Sequence, residues 1–207
     1  IDILHTQLFF GAGLEALGDS KLLRIPLVGT NHTVVQEFLR YSPIQAKWFK
    51  KLILRYVNWY YSKCDLATAP ASTLLEEMTT FGFRAKSAVV SNPIHTDIFR
   101  PLAVQEKLRL KKEWGVGNTA LVYAGRIAAE KKIDVVIKAI AIANGNITGI
   151  TLAIAGSGPD ESRLRKLAED LDISESVKFM GRLSWEKLNA LYNACEAFIT
   201  ASTSEVQ

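Results

Sequence analysis

Two cations, Arg126 and Lys131, stand on the turn between an apolar run and a helical pattern, within the stretch Tyr-Ala-Gly-Arg-Ile-Ala-Ala-Glu-Lys at 123–131. A helix N-terminus offers free backbone N–H groups and a partial positive charge. The Arg126 guanidinium would add a planar fork of donors, and the Lys131 ammonium a mobile point charge. The stretch predicts phosphate binding, although its bare spacing also fits an ordinary solvated turn.

Glycines mark two further turns. Gly156 and Gly158 lie between an apolar run and a helical pattern, where small residues let the backbone approach either a ligand or a neighbouring helix. The residues favour neither reading. Gly11 and Gly13 resemble a dinucleotide fingerprint, but Ala16 stands where the third glycine is required and no strand leads directly into it. We assign that segment to loop and helix packing, which disfavours a nicotinamide dehydrogenase.

A few polar residues follow predicted strands. Glu205 comes just after the strand predicted at 196–201, at the end where open α/β sheets bind ligands, so its carboxylate could accept hydrogen bonds from sugar hydroxyls. The alternative is a surface glutamate on a frayed end. His5 and His32 also follow predicted strands, and structural roles remain open for both. With three histidines and no metal, P-loop or Asp-x-Asp motif, we expect neither a cofactor nor a metal.

The segment 47–63 carries five basic residues and no acid, interleaved with Trp, Phe and Tyr. This composition is typical of a helix lying on an anionic lipid surface. The alternative is a core helix that buries Leu52, Tyr56 and Val57 and leaves a solvated basic face.

Composition bounds the class of protein. With 207 residues, 48% of them hydrophobic and 22% charged, the chain is an ordinary packed globular protein. A net charge of +4 does not argue for nucleic acid, and we expect none as a partner. No apolar run reaches the roughly 18 residues of a spanning helix, so we expect a cytoplasmic protein, with 47–63 as a candidate contact to the inner face of the membrane. Cys64 and Cys195 are expected to be reduced packing residues.

Short apolar runs alternate with helical patterns, which indicates an α/β fold with parallel sheets. Strands are predicted at 1–5, 25–30, 65–69, 87–91, 119–125, 150–156, 176–180 and 196–201, and helices at 43–63, 71–81, 104–114, 130–144, 159–171 and 184–194. Prolines and polar residues interrupt this rhythm at 91–101, which predicts two domains, 1–100 and 101–207.

Four stretches, 123–131, 154–159, 177–182 and 201–205, follow one another in the order seen in the retaining glycosyltransferases of family 4. The chain resembles that family, and within it the lipid (diacylglycerol-type) glucosyltransferases. The resemblance implies the GT-B fold, with 1–100 on the acceptor side and 101–207 on the donor side. It implies transfer of a sugar from a UDP- or GDP-sugar to a lipid or saccharide hydroxyl, with retention of configuration and without a metal.

The resemblance also assigns roles to residues. Arg126 and Lys131 would stabilise the diphosphate, and Glu205 would orient the donor sugar. The remaining assignments are donor-binding Gly125, Gly156, Gly158, Arg182 and Leu183, and acceptor-side His5, Gln7 and His32.

Two positions depart from the family pattern. Lys132 stands where glycine is common, so its side chain would either narrow the approach to the donor or point outward. Gln7 stands where some relatives have a second histidine, which puts a proton-relaying role there in doubt. Because the second acidic residue of the motif would fall beyond Gln207, we expect a fragment with both domains incomplete, inactive by itself. A GT-B sugar phosphorylase and a noncatalytic sugar-nucleotide-binding protein remain the alternatives.

Overall fold

The computed structural model describes residues 1–40, 42, 44–203 and 205, and the chain divides into two units. The first comprises Ile1–Pro93 and also takes in Glu205, and the second comprises Ile94–Thr203. Each unit has one four-stranded sheet in which every strand pair is parallel. The α/β class with parallel sheets, predicted from the alternation of apolar runs and helical patterns, is therefore observed in both units.

In the first unit the strands lie in chain order, β1-β2-β3-β4. A single core of buried residues, including Leu27, Val57, Tyr60 and Tyr61, packs the helices against this sheet. The elements are β1 Leu4–Thr6, α1 Ala12–Leu23, β2 Leu27–Thr30, α2 Val35–Arg40, α3 Lys47–Lys63, β3 Leu66–Ala69, α4 Ser72–Thr80 and β4 Ser87–Val89.

In the second unit the strand order is β7-β6-β5-β8, so the direction of winding reverses at β5. Such a reversal leaves a crevice at the carboxyl ends of the strands, where open α/β sheets bind ligands. The elements are α5 Val104–Trp114, β5 Thr119–Ala124, a 3₁₀ turn Ala129–Lys131, α6 Ile133–Asn144, β6 Ile150–Ala155, α7 Glu161–Asp170, a 3₁₀ turn Ser174–Ser176, β7 Val177–Gly181, α8 Trp185–Ala194 and β8 Ala197–Phe198.

Strand β6 shows why the second sheet is stable. All six of its residues are buried, and they alternate between two hydrophobic cores. Leu152 and Ile154 belong to the core that contains α6 and α7, whereas Ala153 and Ala155 belong to the core that contains α5 and α8. Burial on both faces is what a central parallel strand requires, and it explains the unbroken apolar run in the sequence.

Two helices of the first unit were not predicted, α1 and α2. The apolar residues of α1 do not form one stripe, because Leu22 is 81% exposed and Leu23 is 56% exposed while Leu17 is buried. Gly13 lies inside this helix, and a Cβ there would sit 2.0 Å from the Leu8 carbonyl oxygen. The assignment of this segment to helix packing rather than to dinucleotide binding agrees with that contact.

Other predicted bounds need correction. The helix predicted from residue 43 begins at Lys47, because Ala46 has an extended backbone, and residue 43 itself lies outside the described part of the chain. The helix predicted at 130–144 is split at Lys132, which has a left-handed backbone between the 3₁₀ turn and α6. The strand predicted at 196–201 is limited to Ala197–Phe198, an edge strand that pairs with β5 alone.

Cys64 and Cys195 are both free thiols, as expected for packing residues. Burial raises the pKa of the Cys64 thiol to about 11 and that of the Cys195 thiol to about 12. Since the thiolate is the reactive form, neither residue is suited to nucleophilic chemistry at neutral pH.

Among the helices that the structure describes, none is long and apolar enough to cross a bilayer.

Candidate functional site

The second unit has a cleft of about 330 Å³ at the carboxyl ends of β5, β6 and β7. It adjoins the end of β5, the strand at which the order of the sheet reverses. Four of the five residues predicted from the sequence to bind a donor line it, and Gly158 does not. The lining residues are Ala124, Gly125, Ala155, Gly156, Arg182, Leu183, Leu188 and Tyr192.

The floor of this cleft is made of two backbone segments in close contact. The Gly125 N–H donates to the Ala155 carbonyl at 3.0 Å, and the Ile127 N–H donates to the Ser157 carbonyl at 3.0 Å. A Cβ on Gly156 would lie 1.9 Å from the Gly125 oxygen, and one on Gly158 would lie 2.0 Å from the Ile127 oxygen. Packing alone therefore accounts for Gly158, whereas Gly156 both packs and lines the cleft.

Arg182 is the cation among the lining residues. Its Nε donates to the Ser157 hydroxyl at 2.7 Å, which holds the guanidinium against the turn after β6. Its remaining N–H groups make no hydrogen bond with the part of the chain that the structure describes. An exposed guanidinium held in this way can donate in bidentate fashion to a phosphate.

Arg126 follows Gly125 directly but is not among the residues that line the cleft. Its side chain is 67% exposed, and its Nη2 donates to the Glu130 carboxylate one turn further on. The Arg126 carbonyl accepts from the Tyr123 hydroxyl at 3.0 Å. Lys131 is half-buried at the end of the 3₁₀ turn. The structure thus places both predicted phosphate-binding cations on one turn beside the cleft.

Glu205 is exposed and is grouped with the first unit, so the cleft described here does not include it. Its predicted role toward the donor sugar stays a prediction. Within the described ranges, no group of three or more His, Cys, Asp or Glu side chains is arranged to hold a metal ion. The expectation that the protein needs no metal also stays a prediction.

The first unit gathers polar side chains at the carboxyl ends of β1, β2 and β3. His5 Nε2 lies 2.6 Å from Thr30 Oγ1, which in turn lies 2.6 Å from Thr68 Oγ1. Both threonines are buried, with exposed fractions of 6% and 5%. His32 Nε2 lies 2.7 Å from Gln7 Oε1 at the same edge. The three residues predicted for the acceptor side therefore share one edge of one sheet.

Two buried residues support this edge from below. The Tyr61 hydroxyl donates to the Thr30 carbonyl at 3.1 Å, and burial raises the pKa of the Tyr61 phenol, which keeps it protonated. Asn31 is 1% exposed; its N–H donates to the Thr68 carbonyl at 2.8 Å and its Oδ1 accepts from the Thr33 N–H at 3.0 Å. These contacts fix the backbone at the end of β2.

Several residues of these sites were not singled out from the sequence. Thr30 is the last residue of β2 and Thr68 the next to last of β3, and a hydroxyl in a buried strand could have drawn attention because a buried polar group needs a partner. Glu130 could have been found from its charge and spacing, since it lies four residues after Arg126 and pairs with it although Arg126 precedes the 3₁₀ turn. Leu188 and Tyr192 reach the cleft from α8, and nothing local in the sequence marks them.

Residues 1–98 match the family model described as Glycosyltransferase Family 4, and residues 104–206 match the one described as Glycosyl transferases group 1. The chain belongs to the family 4 glycosyltransferases. The family recognised from four short motifs is therefore confirmed.

Curated relatives include two with the name Alpha-monoglucosyldiacylglycerol synthase. The protein from Streptococcus pneumoniae is 29% identical over 211 residues, covering 100% of this chain and 48% of the relative. The protein from Acholeplasma laidlawii is 26% identical over 216 residues, covering 100% of this chain and 54% of the relative. The chain thus spans about half the length of these curated relatives.

Solved structures show the fold. Anabaena Alr3699/HepE in complex with UDP-glucose superposes with a TM-score of 0.78 at 20% identity, covering 98% of this chain and 53% of that one. Sucrose-phosphate synthase from Thermosynechococcus elongatus gives a TM-score of 0.75 at 15% identity, covering 99% and 51%. The GT-B class predicted from the family resemblance is confirmed.

Lys132 occupies a backbone conformation that suits glycine, with φ 49° and ψ 39°. Lys132→Gly should raise the free energy of unfolding by about 0.5 to 1 kcal/mol. The left-handed conformation costs a residue with a Cβ roughly 1 to 2 kcal/mol of folding free energy. This cost exceeds the conformational entropy that glycine loses on folding. Urea denaturation followed by circular dichroism measures the change. Lys166→Gly, in the exposed middle of α7, is the matched control and should destabilise by about 1 kcal/mol. A loss of stability in Lys132→Gly would contradict this reading.

Proposed function

We propose that the protein transfers a sugar from a nucleoside-diphosphate sugar to a hydroxyl group of a lipid, with retention of configuration at the anomeric carbon. Family membership supports the reaction type. The names of the two relatives, synthases of a glucosyl diacylglycerol, support a lipid acceptor. The complex of Alr3699/HepE with UDP-glucose supports a uridine nucleotide as donor.

The cleft of the second unit is the observation that carries this proposal. Its volume of about 330 Å³ falls at the lower end of the range for small-molecule sites. Leu183, Leu188 and Tyr192 supply apolar surface for a base or ribose, and the Arg182 guanidinium supplies positive charge for phosphate. The cleft therefore combines the two surfaces that a nucleotide presents, one apolar and one anionic.

The cations beside the cleft explain how such a site would promote transfer. As the anomeric C–O bond breaks, its electron pair moves onto the diphosphate. The acceptor hydroxyl oxygen bonds to the anomeric carbon, and its proton passes to the departing diphosphate oxygen. Positive charge placed near the diphosphate stabilises this state more than the ground state. In the proposed mechanism Arg126 exchanges its contact with Glu130 for the diphosphate, and Lys131 adds a second charge. These side chains then do the work that a divalent metal does in other transferases.

Nucleotide binding is the direct test. Isothermal titration with UDP and GDP should show binding of UDP, and Arg182→Ala should weaken it about 10- to 100-fold, because hydrogen bonds to a charged group are worth about 1.5 to 3 kcal/mol. Arg109→Ala is the matched control, since Arg109 is an exposed arginine of α5 in the same unit and is not among the cleft residues. Equal affinity of Arg182→Ala and the unchanged protein would overturn the assignment of the cleft.

Turnover tests the two cations. Arg126→Ala and Lys131→Ala in the complete gene product should each lower the rate by about 10² to 10³, the usual loss when one electrostatic contact to the transition state is removed. Lys166→Ala on α7 controls for loss of a surface charge. Near-normal rates in both variants would refute their assigned role. A rate that needs inorganic phosphate and no nucleotide would instead identify a sugar phosphorylase.

We propose further that α3 contacts an anionic membrane, on the cytoplasmic side where the lipid acceptor lies. The helix exposes a stripe in which Trp48 is 69% exposed, Leu52 is 55% exposed and Trp59 is 45% exposed. Of the three residues that the core-helix alternative buries, Leu52 is exposed, whereas Val57 lies in the core and Tyr56 packs against it. Exposed cations lie along the same helix, at Lys47, Lys51, Arg55 and Lys63. Apolar side chains between cations are what an interfacial helix requires.

Vesicle binding tests this contact. Charge reversal at Lys47, Lys51 and Arg55 should abolish co-sedimentation with vesicles that contain phosphatidylglycerol, because each cation near the headgroups contributes about 1 kcal/mol. Binding of the unchanged protein should also fall as salt rises, since ions screen the attraction. The matched control reverses three exposed lysines of the second unit, Lys112, Lys166 and Lys187, and should bind normally. Equal binding by the two triple variants, or no binding at low salt, would contradict the proposal.

A further inference from the structure

A chain of three side chains crosses the first sheet at its carboxyl edge. Thr30 and Thr68 are directly opposite each other in the parallel pairing of β2 and β3, and their hydroxyl oxygens lie 2.6 Å apart. His5, at the middle of β1, places Nε2 2.6 Å from the same Thr30 oxygen. Thr30 Oγ1 is therefore the shared atom of two short hydrogen bonds.

Three arrangements of hydrogen atoms fit these distances. In the first, Thr68 donates to Thr30, and Thr30 donates to an unprotonated His5 Nε2. In the second, a protonated Nε2 donates to Thr30, and Thr30 donates to Thr68. A hydroxyl has one hydrogen to donate and can accept twice, so in the third arrangement Thr30 accepts from both His5 and Thr68 and its own hydrogen has no acceptor.

Burial separates the three arrangements. In the second, the Thr68 hydrogen has no acceptor, because Thr68 Oγ1 makes no other hydrogen bond with the described part of the chain. In the third, the Thr30 hydrogen is the one without an acceptor. Thr68 is 5% exposed and Thr30 is 6% exposed, and a buried donor without a partner is destabilising. In the first arrangement both hydroxyl hydrogens are used. The first is therefore strongly favoured.

We propose that Thr30, oriented by Thr68, fixes neutral His5 as the tautomer that carries its hydrogen on Nδ1. In a free histidine the hydrogen resides mainly on Nε2, so the threonine pair reverses the ordinary preference. The Thr30 carbonyl accepts from the Tyr61 hydroxyl at 3.1 Å, which holds the backbone that carries the Thr30 side chain. Thr30 is thus a positioning residue that acts through His5.

The tautomer decides what His5 can do. Its Nε2 is occupied by Thr30, while Nδ1 makes no hydrogen bond with the described residues and the side chain is exposed. An exposed Nδ1–H is a hydrogen-bond donor. This inference rests on the proposed function for its role: His5 would donate to an oxygen of the acceptor and orient it, and would not take a proton from it.

Nitrogen NMR measures the tautomer directly. Long-range ¹H–¹⁵N spectra of the labelled protein at a pH of about 8.5, two units above the ordinary pKa of histidine, should show a protonated Nδ1 and an unprotonated Nε2 for His5. Thr30→Val removes the hydroxyl at nearly constant shape and should return His5 toward the Nε2–H form. Thr30→Ser keeps the hydroxyl and should retain the Nδ1–H form. Thr68→Val should retain it as well, since the Thr30 hydrogen still needs an acceptor.

The other two histidines serve as internal controls in the same spectra. His32 bonds to Gln7 and His95 lies in the second unit, so unchanged signals from both show that a variant is folded. An Nε2–H form in the unchanged protein overturns the proposal, and so does an Nδ1–H form that persists in Thr30→Val.

Kinetics on the complete gene product separate this proposal from the proposed function. Thr30→Val should lower kcat/KM for the lipid acceptor about tenfold and leave KM for the nucleotide sugar unchanged, and Thr30→Ser should restore the rate. If Thr30→Val changes the His5 tautomer but leaves the acceptor kinetics unchanged, His5 does not act on the acceptor, and the tautomer assignment still stands. Absence of any transferase activity would refute the proposed function and leave the NMR result to decide the tautomer.

Discussion

The close approach of two backbone segments after β5 and β6 is the constraint on which the candidate donor site depends. Parallel pairing of these strands continues beyond their ends, through the hydrogen bonds of Gly125 and Ile127 to the 155–157 segment. The segments can run this close because Gly156 and Gly158 have no Cβ to collide with the facing carbonyl oxygens. The same bonds occupy the Gly125 and Ile127 N–H groups, so neither group is available to donate to a ligand. The Arg182 side chain supplies the positive charge among the residues that line the cleft.

The elements that the sequence predicts best are those in which burial restricts the residues to apolar types. The six residues of β6 form an unbroken apolar run because both faces of the strand are covered, and that pattern is unambiguous. Helix α1 was missed because exposed Leu22 and Leu23 obscure its buried side, and α2 is a short helix of 6 residues. Local patterns report burial on one side of an element, so elements that lack a regular apolar stripe carry no such signal.

Some residues of the candidate sites could be predicted from the sequence, and others could not. Gly125, Gly156, Arg182 and Leu183 follow strand ends, and parallel strands bring their carboxyl ends to one edge, so their convergence follows from topology. Tyr192 reaches the cleft from α8. It lies far along the chain from the glycines, and no local sequence pattern links it to them. Thr30 and Thr68 meet only because β2 and β3 pair in one particular register, which a single strand pattern cannot specify.

The two sheet edges differ in charge, and the difference bears on the direction of transfer. The segment after β5 carries Arg126 and Lys131, and Arg182 follows β7. By contrast, the residues just after β1, β2, β3 and β4, at 7–10, 31–34, 70–72 and 90–93, include no Lys, Arg, Asp or Glu. A nucleotide diphosphate brings negative charge that needs compensation, whereas an acceptor hydroxyl is neutral and needs orientation by hydrogen bonds. Cations at the first edge would bind the anionic donor, which would then compete there with the acceptor. Under the proposed function, the first edge would therefore orient a hydroxyl through hydrogen bonds, and the residues that follow its strands would offer a diphosphate no Lys or Arg side chain.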